Sequence, residues 1–465
     1  MSVIRAGRAL LPWIIAAAIL WLLPLLAARV VSHELVAQSE RETAAYDSDS
    51  SPWAWSFRRP EDLVASRAFG GGRLDRVHGS LKVTAVADTP VEVGFPMSRP
   101  ADIVDLSRLR LDVTAPPATP MTLLVREHLN TPAVTATLPA NVTAQRPFEV
   151  SLGKLPWKDD AGHDVASPKR AAMLRLVLNL PKGGSADLHA AALLPLSPLR
   201  ATPVALPARG SAEALLQWRD LIWAGDPSAR LGSMPLHGRE PRGPVLDWLI
   251  LAIYASALVV LTLRPVRGRG GQIVEALAAV AGPLWLIAGM RLGPVAVLPA
   301  GICFLCGLGF GVGLAIRRRL PEWHWLGSAR AMALPLLAVP AATLVVAAFG
   351  HALAWPAPGR ALLYVAWALL QQWLMLAVTA ALLDRLVPRA WAVLAVATLF
   401  ALLHTPNGLL MQMCFVAELG WAWCFLRYRA LGPIALAHAA SAVLLQAGLA
   451  GGILRSLEVS ARFLN

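Results

Sequence analysis

The chain has 465 residues, of which 56% are hydrophobic and 15% are charged, and its mean hydropathy of +0.55 excludes a soluble enzyme of this size. The net charge of +13 does not indicate nucleic-acid binding, because residues 32–242 hold 24 bases and 23 acids (24 − 23 = +1). The remainder holds 18 arginines and 6 acids (18 − 6 = +12), and arginines that flank apolar runs indicate membrane anchoring.

The first predicted element is an amino-terminal membrane anchor, residues 1–31. Arg5 and Arg8 precede an apolar run over residues 9–28, which is long enough to cross a bilayer. The run lacks a clear small-residue cleavage site, so we expect a retained transmembrane helix and not a removed signal peptide. The arginines predict a cytoplasmic amino terminus.

Residues 32–210 form a predicted extracytoplasmic β-sandwich. In residues 108–113, apolar Leu109, Leu111 and Val113 alternate with polar residues, which is typical of a half-buried strand. Seven further segments show strand patterns, at residues 81–87, 91–95, 121–126, 134–138, 148–152, 174–180 and 186–194. About eight short strands separated by turn residues predict an all-β sandwich.

The stretch IVDLSRLRLDV (103–113) and the alternating strand that follows resemble the galactose-binding-like jelly rolls found in carbohydrate-binding modules. The resemblance spans about residues 53–195 and implies a jelly-roll fold. It supports the fold more than any ligand, and binding of an envelope carbohydrate or a protein partner is a separate hypothesis. Trp53, Trp55 and Trp157 fit either a sugar-stacking platform or the core, and we favour the core or the membrane edge. Residues 211–242 form a predicted amphipathic juxtamembrane segment, with a helix capped by Ser211.

Residues 243–465 form a predicted eight-span membrane domain, which makes nine spans with the anchor. The apolar runs cover residues 244–263, 272–290, 295–316, 331–355, 361–383, 390–404, 409–426 and 431–454, of which 390–404 is short. An alternating path through the membrane places four arginine-bearing loops, at residues 264–269, 317–319, 385–389 and 427–429, on the side of the amino terminus. The positive-inside rule therefore predicts a cytoplasmic location for these loops and a bacterial inner membrane protein.

Five polar residues stand out inside the carboxyl-terminal apolar runs: Gln371, Gln372, His404, Glu418 and His438. Because polar groups are costly in hydrocarbon, each of these residues is a candidate functional residue. The alternative is that the side chain only pairs with a neighbouring helix. They lie on four neighbouring spans, so we expect them to converge on one cavity. Cys303 and Cys306 have CxxC spacing but no second ligand pair, and we interpret them as buried small hydrophobes.

The segments LFALLHTPN (399–407) and LGPIALAH (431–438) resemble the CPBP family of intramembrane proteases, which includes CAAX-processing endopeptidases and bacteriocin-immunity relatives. The similarity covers residues 361–449. Family members carry Glu-Glu-x-x-x-Arg, Phe-x-x-x-His and His-x-x-x-Asn motifs on successive spans. The resemblance implies a carboxylate that activates water, histidines that hold the water or the substrate carbonyl, and an amide that stabilises the oxyanion.

The chain departs from these motifs while keeping His404 and His438. Gln371 and Gln372 replace the two glutamates, Leu376 replaces the arginine, and Ala442 replaces the asparagine, with Ser441 beside it. A glutamine amide does not accept a proton at neutral pH, so the resemblance predicts a degenerate, weak or inactive peptidase site. Glu418 has three interpretations: a relocated general base, a structural hydrogen-bond partner of a histidine, or a pore-facing or packing residue.

Two function classes remain open. The first is an active intramembrane endopeptidase with a membrane-protein or peptide substrate. The second is a non-catalytic relative that binds a peptide or partner in the same cavity, while its sandwich binds an envelope carbohydrate or protein. We expect no cofactor, because a metal held by both histidines and Glu418 lacks diagnostic spacing. A Cys-dependent transpeptidase ranks last, because Cys414 has no intramembrane arginine nearby.

Overall fold

A computed structural model shows a chain made of a membrane-type helical unit and a β-rich unit. It describes residues 2–47, 53–58, 60–77, 79–97, 100–104, 106–128, 131–140, 147–194, 207, 210–225, 244–264, 266, 268–289, 298–460 and 463. The helical unit contains residues 1–32, 208–215 and 240–464. The β-rich unit contains residues 33–207, 216–239 and 465. Residues 226–243, the end of the predicted juxtamembrane segment, lie outside the described residues.

The β-rich unit is built from short antiparallel strands. Their bounds are β1 (Ala54–Ser56), β2 (Gly72–Val77), β3 (Ser80–Ala85), β4 (Val91–Phe95), β5 (Ala101–Asp102), β6 (Arg108–Thr114), β7 (Met121–Arg126), β8 (Val134–Thr137), β9 (Phe148–Ser151), β10 (Trp157–Lys158), β11 (Arg170–Ala171), β12 (Met173–Leu178) and β13 (Ser185–Leu194). One sheet has the order β2-β3-β13-β6-β9 with β1 on β13, and the second has the order β10-β8-β7-β12-β4. Strands β5 and β11 pair separately.

The two larger sheets share one hydrophobic core. In β6, Leu109, Leu111 and Val113 are buried, while the residues between them are exposed or half-buried. They belong to the same buried cluster as Leu123 of β7 and Leu176 of β12, which come from the other sheet. The two-residue alternation therefore confirms the predicted β-rich sandwich architecture. Its galactose-binding-like type stays a prediction.

Each of the eight predicted strand segments coincides with a strand, whereas β1, β2, β5, β10 and β11 were not predicted. The sugar-stacking platform is wrong for Trp53 and Trp157. Both are 2% exposed, and the Trp157 indole donates to the carbonyl oxygen of Leu152 at 2.8 Å. These two rings are core residues, in agreement with the favoured interpretation. Trp55 is half-buried, packs against the same core and stacks on Phe95.

The helix after the sandwich, α2 (Ala212–Gly225), begins at the predicted cap: the Ser211 hydroxyl accepts from the Ala214 amide at 3.1 Å. The sequence predicts one apolar side formed by Leu215, Leu216, Trp218, Leu221, Ile222 and Trp223, and the burial of the described side chains differs from that prediction. Leu215, Leu216 and Arg219 are buried, whereas Leu221 is 66% exposed. The apolar residues therefore do not all share one covered face.

The remaining helices belong to the helical unit, apart from residues 33–47 at the end of the first helix, which belong to the β-rich unit. Their bounds are α1 (Ser2–Asp47), α3 (Pro244–Leu263), α4 (Arg269–Leu284) with a π-helical end (Trp285–Gly289), α5 (Leu298–Arg317), α6 (Ala329–Leu336), α7 (Ala338–Phe349), α8 (Pro358–Gln372) with a π-helical continuation (Trp373–Ala380), α9 (Ala381–Leu383), α10 (Arg389–Leu402), α11 (Gly408–Tyr428) and α12 (Gly432–Leu449). Helix α1 runs beyond the predicted anchor, which was expected to end at residue 31.

Seven segments of the described chain are long and apolar enough to cross a membrane. They are Leu10–Val36, Arg269–Ile287, Leu298–Arg317, Ala329–Phe349, Pro358–Leu383, Gly408–Tyr428 and Gly432–Leu449. Two shorter apolar helices, Trp248–Leu263 and Arg389–Leu402, occupy the other two predicted positions. The polytopic class is confirmed, and the count of nine spans is approximate. The span expected at residues 331–355 ends at Phe349, so His351 lies outside it.

Large apolar side chains cover the outside of these helices. Trp21 is 77% exposed, Leu263 is 75% exposed and Ile316 is 73% exposed. Side chains of this size on the outside of a helix bundle are favourable in hydrocarbon and unfavourable in water. The exposure pattern therefore supports a bilayer as the surrounding solvent.

A buried ion cluster joins three helices where the second arginine loop begins. The Glu275 carboxylate of α4 is 0% exposed and accepts from Arg317 at 2.8 Å and from Arg318 at 2.9 Å. Arg317 also donates to the carbonyl oxygens of Leu261 and Thr262 at the end of α3. Glu275 lies in a predicted span, and the sequence analysis did not single it out. Its two partners explain why a carboxylate is tolerated there.

The other arginine loops lie at the same end of the unit. Arg385 donates to the carbonyl oxygens of Arg318 and Arg319 at 2.8 and 2.6 Å. Asp384 pairs with Arg389 at 3.2 Å and with Arg429 at 3.5 Å. These contacts place the loops after α3, α5, α9 and α11 together, as the alternating path through the membrane predicts.

Candidate functional site

The paired glutamines lie at the end of α8, where the helix widens into the π-helical segment Trp373–Ala380. In that segment the Thr379 hydroxyl donates to the Leu374 carbonyl oxygen at 2.9 Å, five residues earlier. Such widened turns often occur at functional sites. The two glutamines diverge, because Gln371 lines a cavity whereas Gln372 is fully buried in the protein.

Gln372 is the centre of a small polar network that connects three helices. Its Nε2 donates to Glu418 Oε2 of α11 at 3.0 Å and lies 3.4 Å from His438 Nδ1 of α12. Gln372 and Glu418 are both 0% exposed. Gln372 Oε1 and Glu418 Oε1 have no hydrogen-bond partner within the described structure. Glu418 is therefore held behind Gln372 by one hydrogen bond.

The first histidine, His404, follows the end of α10. Its Nδ1 lies 2.8 Å from the Phe400 carbonyl oxygen, which accepts a hydrogen bond only from a protonated ring nitrogen. The buried Phe400 ring is 4.9 Å from the His404 ring and 5.4 Å from the His438 ring, in edge-on arrangements. Trp421 lies on another side of His438, with centroids 5.4 Å apart. The aromatic rings thus fix both imidazoles at one place.

Both histidines open into a cavity of about 940 Å3 within the helical unit. Its walls are mainly apolar and include Leu20 of α1, Phe304 of α5 and Trp367 of α8. The polar and charged residues that line it are Arg360, Tyr364, Gln371, His404, Gln412, Cys414, His438, Ser441 and Glu458. A cavity of this size, mostly apolar with a few polar groups, is suited to a ligand with an extended apolar part.

The five predicted site residues are close together, but only three face the cavity. Gln371, His404 and His438 line it, whereas Gln372 and Glu418 lie behind the wall. Within the described contacts, Glu418 bonds to Gln372 and to neither histidine, so a direct Glu–His pair is wrong. Its place behind the wall also disfavours the pore-facing interpretation. Their catalytic roles stay predictions.

Leu376 and Ala442 stand where the family has an arginine and an asparagine. Leu376 is a fully buried apolar residue, and Ala442 lines the cavity without a polar group. Ser441 lines the cavity beside it, is 8% exposed, and its hydroxyl has no partner within the described structure. The hydroxyl oxygen at 441 is therefore buried without a partner next to the cavity wall.

Glu458, whose carboxyl group lines the cavity, was not predicted from the sequence. It lies in the carboxyl-terminal segment, which is attached beside the first histidine. Asn407 donates from its side chain to the carbonyl oxygens of Ser456 and Glu458, at 2.7 and 3.3 Å. The Ser460 amide donates to the Thr405 carbonyl oxygen at 2.7 Å. Glu458 follows the last apolar run, so hydropathy gave no signal for it.

Gln412, which joins α11 to α1, was also not predicted from the sequence. Its Nε2 donates to the Leu20 carbonyl oxygen at 3.0 Å. Residue 24 is proline, which has no amide hydrogen to satisfy the carbonyl four residues earlier. Gln412 supplies the missing donor and holds α1 against the cavity wall. A proline in a predicted span together with a glutamine in another was the available signal.

A metal site finds no support among the described residues, in which no group of three or more His, Cys, Asp or Glu side chains is placed to hold an ion. The four cysteines are free, and Cys303 is buried in α5.

Comparison with protein families identifies a similarity in the carboxyl-terminal part of the chain. Residues 353–444 match the family described as type II CAAX prenyl endopeptidase Rce1-like. A search of curated proteins finds no match. The family match covers 444 − 353 + 1 = 92 of the 465 residues and includes Gln371, Gln372, His404, Glu418 and His438. It confirms the resemblance inferred over residues 361–449, and the carboxyl-terminal membrane segment is therefore similar to the Rce1-like CAAX protease family.

Proposed function

We propose that this protein is a CPBP-type integral membrane protein whose cavity binds a peptide segment and does not hydrolyse it. The observation that carries the proposal is the contrast between the two parts of the site. The cavity and its two histidines are retained, whereas amides occupy the positions of the family's carboxylates.

The missing general base is the first reason to expect binding without cleavage. Gln372 donates its amide hydrogens to Glu418 and towards His438, so it cannot take a proton from water. Glu418 is separated from the cavity by this amide. Loss of a positioned general base costs about 10²–10⁴-fold in rate.

The missing oxyanion donor is the second reason. Ala442 stands where the family has an asparagine, and loss of one such donor costs about 10²–10³-fold. The hydroxyl oxygen of the neighbouring Ser441 is buried, so it does not replace this donor in the structure. Together the two losses predict turnover below detection.

The proposed location is the bacterial inner membrane, with the arginine loops and the amino terminus in the cytoplasm and the β-rich unit outside. The clustering of the four arginine loops at one end supports this orientation. The β-rich unit is proposed to bind an envelope carbohydrate or a protein partner. Trp53 and Trp157 are core residues, so this ligand would contact other side chains.

The test uses the full chain in lipid nanodiscs. The probe is an apolar peptide of about 20 residues, long enough to span a bilayer, with a fluorophore, a quencher and a photoreactive diazirine. We expect crosslinks to residues that line the cavity and no increase in fluorescence. His404→Ala and His438→Ala should reduce crosslinking, because they remove polar groups from the cavity. Absence of crosslinks in the cavity would refute peptide binding.

Three variants separate inactivity from a displaced base. Turnover that appears only in the triple variant Gln371→Glu, Gln372→Glu, Ala442→Asn supports an intact cavity that has lost its chemistry. Robust wild-type turnover that is lost in Glu418→Gln would overturn the proposal and make Glu418 the base. Wild-type turnover lost in Glu458→Gln would overturn it in favour of a base from the carboxyl-terminal segment.

A further inference from the structure

The replacement of a glutamate by Gln372 changes the hydrogen-bonding character of the cavity as well as removing a base. We propose that Gln372 fixes His438 as the Nε2–H tautomer, so that His404 accepts and His438 donates a hydrogen bond inside the cavity. The two histidines then form a complementary pair for the N–H and C=O groups of a bound secondary amide. This ligand assignment rests on the proposed peptide-binding function, whereas the tautomer assignment does not.

His404 is the acceptor of the proposed pair. Its Nδ1 is 2.8 Å from the Phe400 carbonyl oxygen, an atom that only accepts. Nδ1 therefore carries the hydrogen, and in a neutral imidazole the other nitrogen, Nε2, keeps a free lone pair. Since the side chain lines the cavity, this ring offers an acceptor to a ligand.

Glu418 determines the orientation of the Gln372 amide. The nearest polar atom is Glu418 Oε2 at 3.0 Å, and this oxygen accepts from the Gln372 NH2 group. An oxygen without a hydrogen accepts in this way in a carboxylate and in a neutral carboxyl group alike. The NH2 group therefore faces Glu418, and the Gln372 carbonyl oxygen has no partner within the described structure. Glu418 thereby determines which half of the amide faces the histidine.

The orientation of the Gln372 amide determines the tautomer of His438. The same NH2 group lies 3.4 Å from His438 Nδ1, and its second hydrogen is free to donate. A nitrogen that accepts a hydrogen bond carries no hydrogen, so the neutral His438 ring holds its hydrogen on Nε2. Phe400 and Trp421 keep the ring in place. His438 therefore presents a donor where His404 presents an acceptor.

A glutamate at 372 would reverse this outcome. Two buried carboxyl groups about 3 Å apart share one proton, so the glutamate at 372 and Glu418 would carry one negative charge between them. The unprotonated oxygen on the histidine side would accept from the ring, so Nδ1 of His438 would carry the hydrogen and its Nε2 would become a second acceptor. Two acceptors suit a water molecule or another donor, whereas a donor and an acceptor suit a peptide group. Gln372 is thus a positioning residue that acts through His438.

The test is nuclear magnetic resonance of the full chain, labelled with 15N and 13C histidine, in lipid nanodiscs at about pH 8, where free imidazole is neutral. The ring nitrogen and carbon shifts report which nitrogen is protonated. His404→Asn and His438→Asn identify the two signals among the ten histidines. We expect Nδ1–H at residue 404 and Nε2–H at residue 438 without any peptide present.

Two substitutions at adjacent positions form a matched pair. Gln372→Glu should convert His438 to the Nδ1–H tautomer, whereas Gln371→Glu, which faces the cavity without contacting His438, should leave it unchanged. If Gln372→Glu fails to fold, Glu418→Gln serves instead, because it removes the acceptor-only partner and should give mixed tautomers at 438. A wild-type Nδ1–H signal at His438, or no change in either variant, would overturn the proposal.

The ligand assignment has its own readout. A probe peptide with one amide replaced by an ester lacks a single N–H and should bind about tenfold more weakly when that bond occupies the cavity. Equal binding of every ester variant would refute recognition of a secondary amide, even with the predicted tautomers. Failure of all probes to bind would refute the proposed function and leave the tautomer result standing.

Discussion

The hydrogen bond between Gln372 and Glu418 should dominate the stability of the polar network, and Gln372→Leu tests this. Both side chains are 0% exposed, and Glu418 already has one oxygen without a partner. The substitution keeps a similar side-chain volume but removes the 3.0 Å hydrogen bond, which leaves the whole carboxyl group unpaired. The free energy of unfolding should therefore fall markedly.

The size of the effect follows from the environment. Hydrogen bonds between membrane helices contribute about 0.6 kcal/mol on average and up to about 1.7 kcal/mol. A buried polar group left without its partner costs about 1–3 kcal/mol. We therefore expect Gln372→Leu to lower the free energy of unfolding by about 2 kcal/mol. Replacement of both partners by leucine should be close to neutral, because no polar group is then left unpaired.

The assay is reversible unfolding in mixed micelles with increasing sodium dodecyl sulfate, followed by circular dichroism. The double-mutant cycle compares Gln372→Leu, Glu418→Leu and the double variant, and it should give an interaction energy of about 1–2 kcal/mol. Gln371→Leu is the matched control, with an expected change within about 0.5 kcal/mol. Additive single effects, or a control as harmful as Gln372→Leu, would refute the reasoning.

Three further predictions follow from contacts outside this network. The two ring nitrogens of His351 each lie 2.9 Å from a main-chain carbonyl oxygen, and these hydrogen bonds raise the pKa of this exposed imidazole above its ordinary value of 6.5. A raised folded-state pKa stabilises the protein below the ordinary value, and this contribution is lost as pH rises through the higher pKa. The thermal stability advantage of wild type over His351→Gln should therefore shrink as pH rises, and a constant difference would contradict this. Gln412→Leu leaves the Leu20 carbonyl without a donor, so a disulfide or photocrosslink between α1 and α11 should form less efficiently, whereas unchanged crosslinking would exclude this role for Gln412. Reporter fusions after Arg319 and Arg429 should score cytoplasmic and one at the carboxyl terminus external, and a cytoplasmic carboxyl terminus would rule out nine spans.

Local sequence patterns determined the architecture of this protein. The two-residue alternation in segments such as Arg108–Thr114 depends only on the pleat of a strand, so strand positions and buried faces were predictable. Long apolar runs bounded by arginines likewise determined the membrane helices and the loops that share one end. The short strands, such as Trp157–Lys158, were missed because two residues carry no period.

The chemistry of the site depended on contacts that no local pattern encodes. Adjacent residues on a helix point about 100° apart, so the pair at 371 and 372 was recognisable, but which glutamine faces the cavity was not. That choice depends on the packing of α8 against α11 and α12, which brings Glu418 and His438 to Gln372 across 46 and 66 residues. Glu458 enters the cavity because Asn407 holds the carboxyl-terminal segment in place. The sequence alone thus indicated five polar residues of the carboxyl-terminal spans. Tertiary packing added Gln412 and Glu458 to the site, and it decided which groups meet and which atom of each faces the cavity.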